Sequence, residues 1–151
     1  MDIGSGGGFP ALVLKIARPD LQVLMVESIK KKALFLKDAI RQLKLTKIAV
    51  ANHRAEELAR LPDFLNRFDV VTARAVAKIH QLIDWGKPFL KEQGYWFLWK
   101  SQRELQELEA TAVDLNLTYQ IFAPPQPLRQ QFPRLANQLW FKIHRSASTK
   151  N

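Results

Sequence analysis

Cysteine is absent from this chain of 151 residues. That excludes disulfides, thiolate metal sites and a cysteine nucleophile, and it fits a reducing cytoplasm. Long apolar runs are missing too, since none approaches the roughly 18 residues of a membrane span. The N-terminus lacks a basic-then-apolar stretch and does not read as a secretory signal. Glycine is scarce at 6 residues, and 4 of these fall between positions 4 and 8. Acidic residues are outnumbered, 14 against 23 Lys and Arg, which leaves a formal net charge of +9. A surplus of that size attracts polyanions over about a Debye length, and ribosomal or other nucleic acid is the natural partner. A merely basic surface is the plainer alternative.

What is present has the balance of one globular domain, with 47% hydrophobic and 25% charged residues. No repeat, linker or low-complexity block divides it. We expect one domain over residues 1–145 and a disordered tail over 146–151. Ala11 to Ala17 reads as a helix. Leu21 to Val26 is a nearly continuous apolar run, typical of a strand buried on both faces. Ser28 is placed to cap a helix whose apolar side is Ile29, Ala33, Leu36, Ile40 and Leu43. Ile48–Ala51 and Phe68–Ala73 read as strands, with a short helical piece at Ala55 to Ala59 and a helix at Val76 to Trp85. The aromatic run Tyr95 to Trp99 is a strand at core spacing, and Ser101 to Asp114 an amphipathic helix. Leu117–Phe122 and Gln138–His144 are the last strands, joined by a proline-rich connector. This alternation predicts an α/β sandwich with a mainly parallel sheet and an antiparallel edge. Ligands of such sheets bind beyond the carboxyl ends of the strands, where Glu27, Asn52 to Glu56, Arg74 and Lys100 would gather.

The glycine run defines the ligand. In Asp2-Ile3-Gly4-Ser5-Gly6-Gly7-Gly8-Phe9-Pro10 the glycines permit positive φ and close approach to backbone N–H groups. A dinucleotide fingerprint would need glycine where Phe9 stands. The spacing Asp-x-Gly-x-Gly-x-Gly, with Glu27 about 20 residues on to accept ribose hydroxyls, looks like the S-adenosylmethionine site of Rossmann-like methyltransferases. A nicotinamide cofactor and a flexible glycine leader are the alternatives.

Further phrases follow in order: Glu27-Ser28 with Lys31-Lys32 and Phe35-Leu36, Arg54-Ala55-Glu56-Glu57, Phe68-Asp69-Val70-Val71 with Ala73-Arg74-Ala75, and Lys100. Together with the Gly-Phe-Pro ending of the loop, they resemble the bacterial 16S rRNA guanine-N7-methyltransferase family, also called glucose-inhibited division protein B. The resemblance implies transfer of a methyl group from S-adenosylmethionine to N7 of guanine 527 in 16S rRNA, by a cytoplasmic monomer. It places Gly4 and Phe9 along the methionine and ribose side, Gly6 among the cofactor-binding residues of the same loop, Glu27 at the ribose, Ala55 and Glu56 beside the adenine, and Arg74 beneath the reacting centre. Arg54 and Lys100 become candidate contacts to rRNA. The arginines also fit rim ion pairs with Glu56, Glu57 or Asp69, and Lys100 a solvated strand end. No catalytic base is assigned. Guanine N7 carries a free lone pair, so positioning alone can suffice, and Thr72-Ala73-Arg74-Ala75 replaces the Asn/Asp-Pro-Pro-aromatic motif that serves exocyclic amines. His53, His80 and His144 suggest no metal site.

The family begins with a helical segment and a hydrophobic first strand before the loop. Both are missing here, and Ser101 replaces a glycine usual after the fifth strand. The expectation is therefore an N-terminally shortened member of poor stability, its central slot empty or bridged by its neighbours. A non-catalytic remnant that binds nucleotide or rRNA, and a methyltransferase for another substrate, are the other readings.

Overall fold

Short apolar strands alternating with helices cannot bury their faces singly, and here they pair side by side into one sheet. The computed structural model describes residues 1–146. The strands are β1 (Asp2–Ile3), β2 (Val23–Val26), β3 (Ile48–Ala51), β4 (Phe68–Arg74), β5 (Leu90–Ser101), β6 (Leu117–Phe122) and β7 (Gln138–Arg145). The helices are α1 (Ala11–Ala17), α2 (Lys30–Gln42), α3 (Ala55–Leu58), α4 (Ile79–Gly86), α5 (Leu105–Asp114) and α6 (Gln126–Gln131). Strand order is β3-β2-β1-β4-β5-β7-β6. β1 to β5 run parallel, while β7 lies antiparallel between β5 and β6, giving the expected antiparallel edge.

The first strand corrects the sequence reading. Its slot is neither empty nor bridged. Ile3 pairs with Val26 on one side and Ala73 on the other. The Met1 nitrogen donates to the Val70 carbonyl at 2.8 Å, and the Met1 carbonyl accepts from the Thr72 N–H at 2.8 Å. The backbone groups at the carboxyl end of the sheet, which carry the loop, are therefore satisfied.

Each face has its own core. Ala11, Leu12, Met25 and Leu36 pack under α1 and α2. On the other face Ile3, Val26, Val71, Ala73, Trp96 and Leu98 meet Leu58, Leu82 and Leu108 of α3, α4 and α5. β2 is continuously apolar because both its faces are covered. In β5, Trp96 and Leu98 are core as expected, whereas Phe97 and Trp99 face the other way with ring centroids 5.0 Å apart.

Two local readings differ. Ser28 makes no cap; α2 begins at Lys30, and the Ile29 N–H goes to the Glu27 carboxylate at 2.8 Å. The proline-rich connector contains α6 and a 3-10 turn at Pro133–Leu135, since proline is well suited to a first helical turn. In the supposed tail, Ser146 donates its N–H to the Asn116 carbonyl at 3.3 Å, and residues 147–151 lie outside the described ones. No described helix is long and apolar enough to cross a membrane.

Candidate functional site

The carboxyl ends of β1, β2, β3 and β4 open onto one rim, and the glycine loop forms its floor. Gly4, Gly6 and Gly8 have φ of 69°, 53° and 90°, a region side chains disfavour. A Cβ on Gly4 would lie 2.6 Å from Val76 Cγ2, in the loop after β4. A Cβ on Gly8 would strike Leu12. A Cβ on Gly6 would meet only the Gly4 carbonyl oxygen, at 3.8 Å, and one on Gly7 nothing within 4 Å. The loop is thus packed tightly at both ends and open in the middle.

Glu27 closes one side of that opening. It is 5% exposed, and its two carboxylate oxygens each accept a backbone N–H at 2.8 Å, from Gly6 and from Ile29. Asn52 Nδ2 donates to the Glu27 carbonyl at 2.8 Å, fastening the end of β3 to it. Arg54 is exposed, and its N–H meets Glu57 Oε2 at 3.0 Å at the start of α3. Ala55 is buried in the core while Glu56 next to it is exposed. Across the opening, Arg74 ends β4 with its guanidinium 5.5 Å from the centre of the Phe9 ring. Cofactor candidates Gly4, Gly6, Phe9, Glu27 and Arg74 therefore share this rim, with Arg54, Ala55 and Glu56 after β3.

Lys100 does not stand with them. Its side chain is 4% exposed, with Nζ 3.0 Å from Glu104 Oε1 and 2.8 Å from the Ala77 carbonyl. Its charge is spent inside, pinning the loop that carries Val76 against Gly4. Ser101, in the glycine's usual place, is in ordinary extended backbone (φ −138°), so no glycine is required. Its hydroxyl and N–H both donate to Glu104 Oε2 at 2.8 Å.

Asp2 heads the loop motif. It is buried; Oδ1 accepts the Thr72 hydroxyl at 2.6 Å, and Oδ2 has no partner. Burial raises its pKa, against the opposing hydroxyls of Ser5 and Thr72. A raised carboxyl pKa means the folded chain holds its proton more tightly than the unfolded one. Stability from this group is therefore lost as pH rises from the unfolded value through the folded one. Asp2→Asn should raise the neutral-pH melting temperature by a few degrees, because it removes a carboxyl whose charged form burial disfavours. It should also flatten stability between acid and neutral pH. An equal melting temperature and an unchanged pH profile would show that Oδ2 is not under-satisfied.

Among the described residues no three His, Cys, Asp or Glu side chains gather as a metal site. The residues do fit S-adenosylmethionine: an open glycine cradle, a buried carboxylate beside it, and an orphaned carboxylate oxygen at its base.

Fold and rim together define the class of Rossmann-like α/β folds with a glycine loop at the carboxyl rim of the sheet. A solved structure from Methanococcus maripaludis, named "putative S-adenosyl-L-methionine-dependent methyltransferase", superposes with a TM-score of 0.73 at 13% identity, covering 99% of this chain and 78% of that one. A Bacillus subtilis protein gives 0.67 at 16% identity, over 97% and 91%. The family follows from sequence. The family model "rRNA small subunit methyltransferase G" (GidB) matches residues 1–123, and the chain belongs to that family. A relative of that name from Lachnoclostridium phytofermentans is 44% identical over 109 residues, 72% of this chain and 45% of its own. One from Sorangium cellulosum is 49% identical over 107 residues, 71% of this chain and 44% of its own. The chain thus spans about half the length of the curated relatives it matches.

Proposed function

We propose that this chain binds S-adenosylmethionine on the glycine loop and methylates N7 of a guanine in small-subunit rRNA, guanine 527 of 16S rRNA. The observation that carries the reading is the open middle of the loop, with the Glu27 carboxylate 2.8 Å from the Gly6 nitrogen at its edge. Glu27 keeps lone pairs for ribose hydroxyls, and the tight ends of the loop hold its shape before any ligand arrives. When bound, the cofactor supplies an electrophilic sulfonium methyl group. Phe9 and Arg74 offer an apolar face and a charged edge where the base would enter, and Arg54 a second cation for phosphate. N7 attacks with a lone pair, so no side chain needs to remove a proton. Protein catalysis then consists of alignment and exclusion of water. The chain is taken to act as a cytoplasmic monomer.

The test is transfer of a labelled methyl group from S-adenosylmethionine into a 16S rRNA transcript. Incorporation is expected with guanine and is expected to vanish when 7-deazaguanine, which lacks the N7 lone pair, replaces it. Incorporation that survives the replacement would move the acceptor to another atom. Cofactor binding without any incorporation would leave the non-catalytic reading standing.

A further inference from the structure

A dense cluster of positive charge lies on one helix and just beyond it. Between Ser28 and Lys47 stand seven cations against one acid, Asp38, a local surplus of six in a chain of net +9. Five of the seven lie on α2: Lys30, Lys31, Lys32, Lys37 and Arg41. All seven are exposed, while Ala33 and Leu36 turn inward to the sheet. Only Arg41 finds an acid among the described residues, Asp38 at 2.9 Å, and that pair is itself exposed.

Helix physics does not favour this arrangement. Cations in a first turn oppose the helix dipole, and α2 opens on three lysines with no acid beside them. Lys37 and Arg41 are a like-charge pair one turn apart, where an acidic partner would support the helix. The charge is therefore placed against local stability, and an external anion is what would offset it. The strip starts at the rim. The residue before Lys30 is Ile29, whose N–H meets Glu27, and Glu27 meets Gly6. The 13 residues of α2 extend from there over about 20 Å. At ~3.4 Å per phosphate along one strand, that is room for about six phosphates.

We propose that the exposed face of α2 docks the RNA sugar-phosphate backbone and so delivers the reacting base to the rim. This rests on the rRNA reading above. An anionic membrane is the rival partner, but interfacial binding needs a broad apolar face. On α2 the large exposed apolar residues are Leu34 and Phe35 alone, set among lysines.

The experiment is filter binding of labelled 16S rRNA transcript across a salt series. It compares wild type, the triple variant Lys30→Gln, Lys31→Gln, Lys37→Gln, and a control triple of exposed cations outside that segment, Arg60→Gln, Arg67→Gln, Lys87→Gln. Each lost phosphate contact removes ~0.7–0.9 from the slope of log K against log salt. The α2 variant should lose about two from the slope and roughly 100-fold in affinity at 0.1 M salt. The control should keep the wild-type slope, and Lys→Arg at the same three α2 positions should restore it. The α2 triple should melt no lower than wild type, because its charges oppose the dipole. An unchanged slope in the α2 variant overturns the proposal, as does an equal loss in the control. Loss of binding to phosphatidylglycerol vesicles with the RNA slope intact assigns the face to membrane instead. Methyl transfer separates the two readings. A wild type that binds RNA through α2 but transfers no methyl sinks the enzymatic function and leaves the surface. One that methylates, with the variant's slope unchanged, sinks only the surface.

Discussion

Gly8→Ala is expected to lower the melting temperature by roughly 4–20 °C. Two costs add at that position. The backbone sits at φ 90°, where a Cβ costs about 1–2 kcal/mol. The new carbon would also strike Leu12 and lie 3.2 Å from Leu36 Cδ2, both in the core beneath α1 and α2. Overpacking of that kind typically costs about 1–3 kcal/mol. The sum of about 2–5 kcal/mol, at roughly 2–4 °C per kcal/mol for a chain of this size, gives the range quoted. Gly6→Ala separates fold from ligand. Its Cβ meets only a carbonyl at 3.8 Å, so the stability loss should stay near the backbone cost of about 1–2 kcal/mol. The methyl group would, however, project into the open middle of the loop, and S-adenosylmethionine affinity by calorimetry should fall tenfold or more. Gly7→Ala, with nothing within 4 Å, should leave the melting temperature unchanged. If Gly6→Ala bound the cofactor as tightly as wild type, the ligand would not lie across Gly6. If Gly8→Ala melted like wild type, the loop would not be wedged against the core.

The elements that local chemistry decides were legible. β2 is apolar because helices cover both its faces, and the inward residues of α2 recur at helical spacing. Elements decided by distant contacts were not. α4 begins three residues later than its apolar pattern suggests, at Ile79, whose N–H is taken by the Glu107 carboxylate of α5. No local signal announces a cap lent by another helix. β5 begins at Leu90 rather than Tyr95 because its pairing with β4 absorbs an irregularity between Phe68 and Val70. At the site the glycines, Glu27 and Arg74 were legible because motif spacing places them at strand ends. Asp2 is legible as the head of the motif, but only three dimensions reveal that one of its oxygens lacks a partner. Lys100 shows the converse. A lysine at a strand end looks like a hand held out to phosphate, and only burial shows that it is occupied.

That burial sets the second large effect. Lys100→Met should cost about 2–4 kcal/mol and loosen the glycine loop as well. The Ala77 carbonyl would lose its donor and Glu104 its cation, and breaking a buried pair by removing one partner typically costs about 3–5 kcal/mol. The lower range applies because Glu104 is 31% exposed and keeps both Ser101 donors. Glu104→Gln should destabilise too, since it strands a buried ammonium. The double variant should lose less than the sum, a coupling that a double-mutant cycle measures directly. Acid titration gives an independent readout. Burial alone would raise the Glu104 pKa, but the Ser101 hydroxyl and the Lys100 ammonium outweigh it, so the carboxyl titrates below its ordinary value. A depressed carboxyl pKa contributes stability above the unfolded value of 4.5 that is lost as pH falls through the folded one. The acid limb of the stability profile should therefore be shallower in Lys100→Met than in wild type. The cofactor should follow, because Val76 abuts Gly4 only while Ala77 is held. A variant that kept its melting temperature and acid limb but lost RNA affinity would return Lys100 to the role its position suggests. Additive single and double losses would mean that Lys100 and Glu104 are neighbours without being partners.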